Sequence, residues 1–595
     1  MQRTTMRWKQ LWARKSLETL QHEMAGEHRL HRVLGPVSLT SLGVGMIIGA
    51  GIFAMTGRVA AEDAGPSIML SFVVAGIGCA FAALCYAEFA AMAPVAGSAY
   101  TYTYATLGEL WAWIIGWDLI LEYAMSCGVV ASHWASYLNE LIYTVSAYFS
   151  PDGLGYRIIP ELLSDPFTPI VVNGVSIQPW FNLPAVLIMA VVTVILVIGV
   201  RESALTNAIL VVIKVGVVLF VIAVGWGYTH SENWTAVPVT ERKPTDIKDW
   251  LSRNPEFEKQ VPPERVREME NGKQFLEEHP EIASKLTDSE RALVASLPAE
   301  GKKWGLLGAL GLKHMLQPLD DSLRSPFMPF GLSGIMVGAA LVFFAYIGFD
   351  SISTHAEEAI NPKRDLPIGI IGSLVLCTIL YIFVSAIITG MEPYPQIDTG
   401  AAVAVAFTRQ GLKFASALIS VGALAGMTSV LLVTFQSQAR IFLAMARDGL
   451  LPHSIFGVVH PRFRTPHIST ILTGIVICLV AAFTPVRKLE EMVNIGTLMA
   501  FILVCASVLS LRITRPNVER PFRTPLLFVV APLGILVNLA MTLFLPIDTW
   551  VRLAVWLGLG MVIYLLYSQR HSVMGQELMK QFGKGLSPVE RQMKD

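Results

Sequence analysis

Ile48-Gly49-Ala50-Gly51-Ile52-Phe53 lies inside the apolar run Ser38–Ala61, and Tyr346-Ile347-Gly348-Phe349-Asp350 lies inside the apolar run Leu332–Ser353. Each run is long enough to cross a bilayer, for which about 20 residues suffice. Each also carries glycine near its middle, where a helix loses roughly 1 kcal/mol relative to alanine. Hydrocarbon tolerates unwound backbone only where protein buries it or where it lines a cavity. Paired interruptions of this kind point to the binding site of a secondary transporter. Gly45 and Gly49 also form a GxxxG face suited to close helix packing, so the first break alone fits packing and unwinding equally. The second break favours unwinding. A dinucleotide-binding reading fails, because the spacing is not GxGxxG and no strand precedes it.

An unwound helix exposes N–H groups at the start of one half and carbonyls at the end of the other. The first end suits a carboxylate and the second an ammonium. A zwitterionic amino acid presents both groups a short distance apart. Phe53, Phe344, Tyr346 and Phe349 would close over it.

Working outward, the composition agrees with a membrane chain. Of 595 residues, 53% are hydrophobic and 15% charged, against about 25% charged in soluble proteins, and the mean hydropathy is +0.54. The zero net charge and the lack of a basic patch with interleaved aromatics exclude a nucleic-acid partner. All six cysteines fall in apolar runs, so neither a disulfide framework nor a metal site is expected. The basic N-terminal stretch has no apolar core, so no cleavable signal peptide is expected.

Hydropathy marks twelve transmembrane windows: 38–61, 66–92, 108–144, 182–200, 204–229, 332–357, 367–390, 414–444, 467–484, 489–512, 525–545 and 549–568. The third and eighth are long, implying tilt or extension past the membrane. The breaks open the first and sixth windows, corresponding places in two five-helix halves, as in an inverted repeat. The fold class is therefore an all-α integral membrane protein: a 5+5 inverted repeat with discontinuous helices one and six, plus two C-terminal helices. The divisions are an arm at 1–37, a first repeat at 38–229, a charged insert at 230–331, a second repeat at 332–512, a helix pair at 513–568 and a tail at 569–595.

Basic residues crowd the arm (Arg3, Arg7, Lys9, Arg14, Lys15, Arg29, Arg32), the tail and alternate connections, which places both termini in the cytoplasm and the insert outside it. The opposite connections carry fewer, among them Arg58, Arg487 and Lys488. The insert mixes both charge signs, and Pro263–Leu297 reads as short solvated helices. It is either a spacer or small cap, or a partner-binding module.

Charges within apolar windows are expensive unless paired or watered. Lys214 lies about ten residues into the fifth window, too deep to snorkel easily, and a buried lysine can bind and release a proton near neutrality. Asp118 and Glu122 share one helix face at i, i+4. The deeper Glu122 serves equally well as a relay or as a structural partner. Glu88, Glu357 and Glu358 sit near cytoplasmic helix ends, where gate or surface salt bridges are expected. His133 and His355 stand isolated, and no catalytic constellation or ATP-binding GxxxxGK[ST] loop occurs.

Several collinear stretches carry a family resemblance: GVGMIIGAGIF (43–53), YAEFAAMAPVAGSAYTY (86–102), GWDLILEY (116–123), the lysine of helix five, FFAYIGFDSISTHAEEAINPKRDLPIGI (343–370) and the helix pair at 520–567. They resemble the cationic amino acid transporter family of the amino acid–polyamine–organocation superfamily. The resemblance implies alternating access, with substrate between helices one and six. Amides of Ala50 and Gly51 would hold its carboxylate, carbonyls of Ile47, Phe344 and Ile347 its ammonium, with Gly348 opening the second break. It also implies that Lys214 replaces the sodium ion of coupled relatives, leaving proton coupling or uniport. The insert departs from the family's expected length. The resulting expectation is a cytoplasmic-membrane amino acid permease, a proton symporter with no cofactor, whose substrate is cationic or small and neutral. The rival is a receptor that binds without transport and recruits a partner through the insert.

Overall fold

The computed structural model describes residues 10–15, 34–92, 98–150, 155–172, 175–199, 204–239, 242, 244, 246–261, 271–297, 304–350, 352–353 and 359–583. Glu357, Glu358, His355 and most basic residues of the arm lie outside the described residues, as do Lys584, Arg591 and Lys594 of the tail. Among the described residues, seven helices are long and apolar enough to cross a membrane: Gly51–Met92, Glu109–Phe149, Ile209–Tyr228, Pro362–Met391, Lys413–Arg447, Val486–Thr514 and Ile547–His571. Five shorter apolar helices accompany them.

In chain order the elements used below are α1 (Pro36–Ile47), α2 (Ile68–Met92), α3 (Ser98–Thr106), α4 (Glu109–Phe149), β1 (Ile170–Val172), β2 (Val175–Ile177), α5 (Leu183–Ile198) and α6 (Ala204–Gly225). The insert contributes α7 (Ile247–Arg253), α8 (Gly272–Glu278), α9 (Asp288–Ser296) and α10 (Lys313–Leu323). There follow α11 (Gly331–Val342), α12 (Pro362–Met391), α13 (Ala402–Arg409), α14 (Lys413–Arg447), α15 (His467–Phe483), α16 (Val486–Thr514), α17 (Leu527–Leu543) and α18 (Ile547–Ile563).

The centre is built on α4 lying along α14, with α12 packed on α2 and α1, and α16 on α4 and α17. The most apolar stretch of α4 is 89% buried, whereas that of Ile547–His571 is 22% buried, so α4 is central and the C-terminal pair peripheral.

Three details correct the sequence reading, and a fourth follows it. The fold is not wholly α: β1 and β2 pair antiparallel, with Ile170 opposite Ile177. The chain between them reads Asn173-Gly174 amid β-branched residues, the strongest short hairpin signal. Next, α3 and α13 are unforeseen, because each is short and only partly apolar. The sixth window breaks where its glycine stands: α11 ends at Val342, a tight 3-10 turn carries the chain to Tyr346, and the α-helix does not resume among the residues described up to 353. Finally, the insert is more than solvated helices. Trp250, Phe257, Phe275, Ile282 and Val294 belong to a small buried core of its own, with Trp250 and Phe257 stacked at 5.5 Å. Caps fix its helices: Asp246 accepts from the Asp249 amide at 2.6 Å, and Thr287 with Glu290 forms a capping box on α9.

Buried ions gather at both ends of α16. At its start, Glu490 pairs with Arg58, and His133 lies 2.9 Å from Glu490. Arg487 bonds Glu62 at 2.9 Å and Asp63 at 2.8 Å. At its end, Glu88 accepts from Arg512 at 2.7 Å and forms an ion pair with Arg520 at 3.2 Å. The salt bridge expected of Glu88 therefore forms, but it is buried rather than superficial. His133 is not isolated, as its sequence context suggested, because the fold carries Glu490 to it across 357 residues of chain.

Candidate substrate site between two helix breaks

The first break is short. Ile48 is extended (φ −73°, ψ 107°), and winding resumes as a π turn at Gly51–Met55, an α turn at Thr56–Val59 and a second π turn at Ala60–Ala64. The second break opens after the 3-10 turn. Ile347 takes ψ 132°, and Gly348 sits at φ +120°, where side chains are rarely found. The Gly348 amide donates to Asp350 Oδ1 at 3.3 Å, anchoring the turn.

The two breaks touch each other. A Cβ on Gly51 would lie 2.4 Å from Ala345 Cα, and one on Gly348 would lie 3.0 Å from the Met46 carbonyl. The GxxxG alternative resolves residue by residue. Gly45, within α1, admits Val211 of α6, while Gly49, within the break, faces Val430 of α14.

Carbonyls released by the breaks must find donors in a buried, apolar setting. Lys214 Nζ donates to the Gly45 carbonyl at 2.5 Å and is itself buried. The Tyr381 hydroxyl lies 2.9 Å from the Ile47 carbonyl and 2.8 Å from that of Ala345, so one side chain on α12 bridges both breaks. Tyr137 of α4 donates to Phe53 O at 2.6 Å, and Asn494 of α16 donates to Leu341 O at 3.0 Å. Tyr381 escaped the sequence reading. Its signal was a phenol in mid-window, since buried tyrosines keep a hydrogen-bond partner.

Between the breaks lies a cavity of about 30 Å³, room for on the order of two waters. Ile47, Ala50 and Gly51 line it from one break, and Phe344, Ile347 and Gly348 from the other. Thus all six residues singled out for substrate share one wall. Its remaining lining includes Tyr123, Ser126 and Val130 of α4 and Val430, Val433 and Thr434 of α14. Among the described residues, neither an acidic nor a basic side chain lines it. As the opening residues of the rewound segment, Ala50 and Gly51 have amides without a preceding helical turn to bond them.

The other three aromatics lie off this wall. Phe53 packs edge-on against Tyr137, Phe349 against Tyr86 and Phe501, and Tyr346 gives its hydroxyl to Phe72 O at 2.8 Å. Glu122 is buried on α4, with Asp118 and Asp350 near enough to act on its charge. It therefore stands beside the second break, and Lys214 beside the first.

The family model for amino acid permease matches residues 34–261 and 305–566, leaving 262–304 of the insert unmatched. The chain is 38% identical to the branched-chain amino acid permease of Bacillus subtilis, covering 95% of this chain and 99% of that protein. It is 36% identical to the methylthioribose transporter of the same bacterium, with the same coverage of both chains. The vacuolar cationic amino acid transporter 4 of Arabidopsis thaliana is 32% identical over 83% of this chain and 65% of its own length. The unmatched stretch lies inside the segment read as a departure from the family's expected length. With both breaks, the lysine and nearly every apolar helix inside the matched ranges, the chain belongs to the amino acid permease family and is a multi-pass membrane transporter rather than an enzyme.

Proposed function

We propose that the chain carries neutral, aliphatic L-amino acids across the cytoplasmic membrane by alternating access, coupled to protons. The observation that carries this reading is the meeting of two unwound helices over one cavity. The substrate carboxylate binds the Ala50 and Gly51 amides. Its ammonium binds the carbonyls of Ile47, Phe344 and Ile347, with Tyr381 yielding its bond to Ile47. With room for on the order of two waters, the cavity must widen to load an amino acid.

Twelve crossings arranged as a five-plus-five inverted repeat are part of the proposal, and the packing supports them. Exchanging α1, α2, α4, α5 and α6 with α11, α12, α14, α15 and α16 maps observed pairs onto observed pairs. The α1–α12 contact becomes α11–α2, α4–α16 becomes α14–α6, and α2–α12, α4–α14 and α5–α15 map onto themselves. The short α3 and α13 fall in matching places, after the second helix of each half.

The side-chain end of the cavity supports the substrate class. Val130, Val430, Val433 and Thr434 offer apolar contact, and a cationic side chain would be left there without an anion, a costly burial. This agrees with the name of the branched-chain relative. Leucine, isoleucine and valine should compete with labelled leucine uptake into proteoliposomes, while arginine and lysine leave it unchanged. Competition by methylthioribose instead would move the substrate to the other Bacillus relative's class.

Proton coupling rests on Lys214, whose ammonium holds the α1 carbonyl just before the break. Losing its proton would remove that bond's charge and loosen the break. Lys214→Met should abolish uptake driven by an imposed pH gradient while leucine binding falls less. Full gradient-driven uptake in this variant removes Lys214 from coupling and leaves Glu122 as the proton carrier.

A further inference from the structure

The helix α10, which closes the insert just before α11, has three faces that no single medium satisfies. Successive residues turn by about 100°. One face meets protein: Asp320 is fully buried, accepts the Ser333 amide of α11 at 2.6 Å and pairs with Arg324 at 3.1 Å. On one flank, Leu312, Met315, Leu319 and Leu323 fall within an arc of about 80° and are 38–68% exposed. On the opposite flank, His314, Gln317 and Asp321 are exposed and polar. Water on both sides would wet four large apolar side chains, and hydrocarbon on both sides would strand three polar ones.

We propose that α10 lies in the headgroup–acyl boundary of the bilayer, its apolar flank in the leaflet and its polar flank in water. Such a division of faces is what an interfacial helix requires. Its depth in the fold agrees. Asp320 reaches the first turn of α11, so α10 sits level with the end of that helix. The preceding short helix, Gly305–Ala309, rests on Phe544 and Leu545, in the turn that joins α17 to α18. Trp304 meets Phe544 there with ring centroids 6.0 Å apart. Below that turn α17 and α18 present Leu536, Leu539, Val551 and Val555 outward, 39–59% exposed, as lipid-facing residues are. The stripe on α10 therefore continues an apolar belt at its rim. The insert is thereby moored to the membrane surface at one end and to α11 through Asp320, so lipid contact bears on the helix that leads to the second break.

The test uses the full chain in phosphatidylcholine–phosphatidylglycerol vesicles, with an environment-sensitive fluorophore on Leu319→Cys or, separately, Asp321→Cys. Five native cysteines are buried and Cys478 is partly so, and the labelled parent chain supplies the background. Emission from position 319 should be blue-shifted and quenched severalfold more by a nitroxide near the ester end of the acyl chain than by aqueous iodide. Position 321 should show the reverse. Met315→Cys serves as the second site if Leu319→Cys folds poorly. Iodide quenching at 315 and 319 equal to that at 321 overturns the proposal. So does shielding from both quenchers, which would mean that protein, such as a second copy, covers the flank.

Discussion

Gly51→Leu is expected to eliminate measurable leucine binding, and Gly51→Ala to weaken it by roughly tenfold to 100-fold, the equivalent of about 1–3 kcal/mol of overpacking. A methyl at position 51 has no room, since its carbon would lie 2.4 Å from the Ala345 backbone and 2.5 Å from the Ala345 Cβ. Ala345 cannot retreat as a flexible side chain would. It belongs to the 3-10 turn at the second break, and its carbonyl is held by Tyr381. The clash therefore separates the two breaks and moves the amides of Ala50 and Gly51 from the carbonyls of Phe344 and Ile347. Gly348→Leu should act similarly through a second cause, because φ +120° strains any side chain by about 1–3 kcal/mol. Equilibrium binding of labelled leucine in detergent reads both effects. Gly216→Leu is the control, since a Cβ there meets nothing within 4 Å. Normal affinity in Gly51→Leu would remove the site from between the breaks.

The readable parts of this molecule were those whose physics is local. Glycines in a long apolar run weaken a helix wherever the run packs, so both breaks could be found from composition and position. Lys214 stood out because a lysine deep in such a run needs a reason. What escaped depends on contacts between distant segments. Arg58 looked like one basic residue on a short connection, and only the fold brings it into a buried pair with Glu490. Tyr381 looked like one aromatic residue among many until its hydroxyl fell between two carbonyls. The three aromatics expected over the substrate show the converse. Their spacing placed them near the breaks, but spacing does not say which way a side chain leaves an unwound backbone.

The largest stability effect is expected at that Arg58–Glu490 pair. Glu490 is fully buried and Arg58 nearly so, and removing one partner of a buried pair typically destabilises by about 3–5 kcal/mol. Glu490→Ala should therefore lower the thermal midpoint in detergent by many degrees, leaving Arg58 and His133 without their anion. Replacing both charges, as Arg58→Met with Glu490→Leu, should recover most of that loss, since apolar packing can equal or exceed a buried ion pair. Transport separates two roles for the pair. Arg58 belongs to the rewound Gly51–Ala64 segment of the first break, and Glu490 to the start of α16. On the proposed alternating access, opening the cavity toward that end would part the two. Separated charges are rewarded by hydration, whereas a separated Met–Leu contact exposes apolar surface to water. The double variant should consequently be stable yet transport slowly, with leucine binding little changed. Recovery of transport together with stability would instead make the pair a fixed brace, and opening would have to proceed without moving the Gly51–Ala64 segment away from α16.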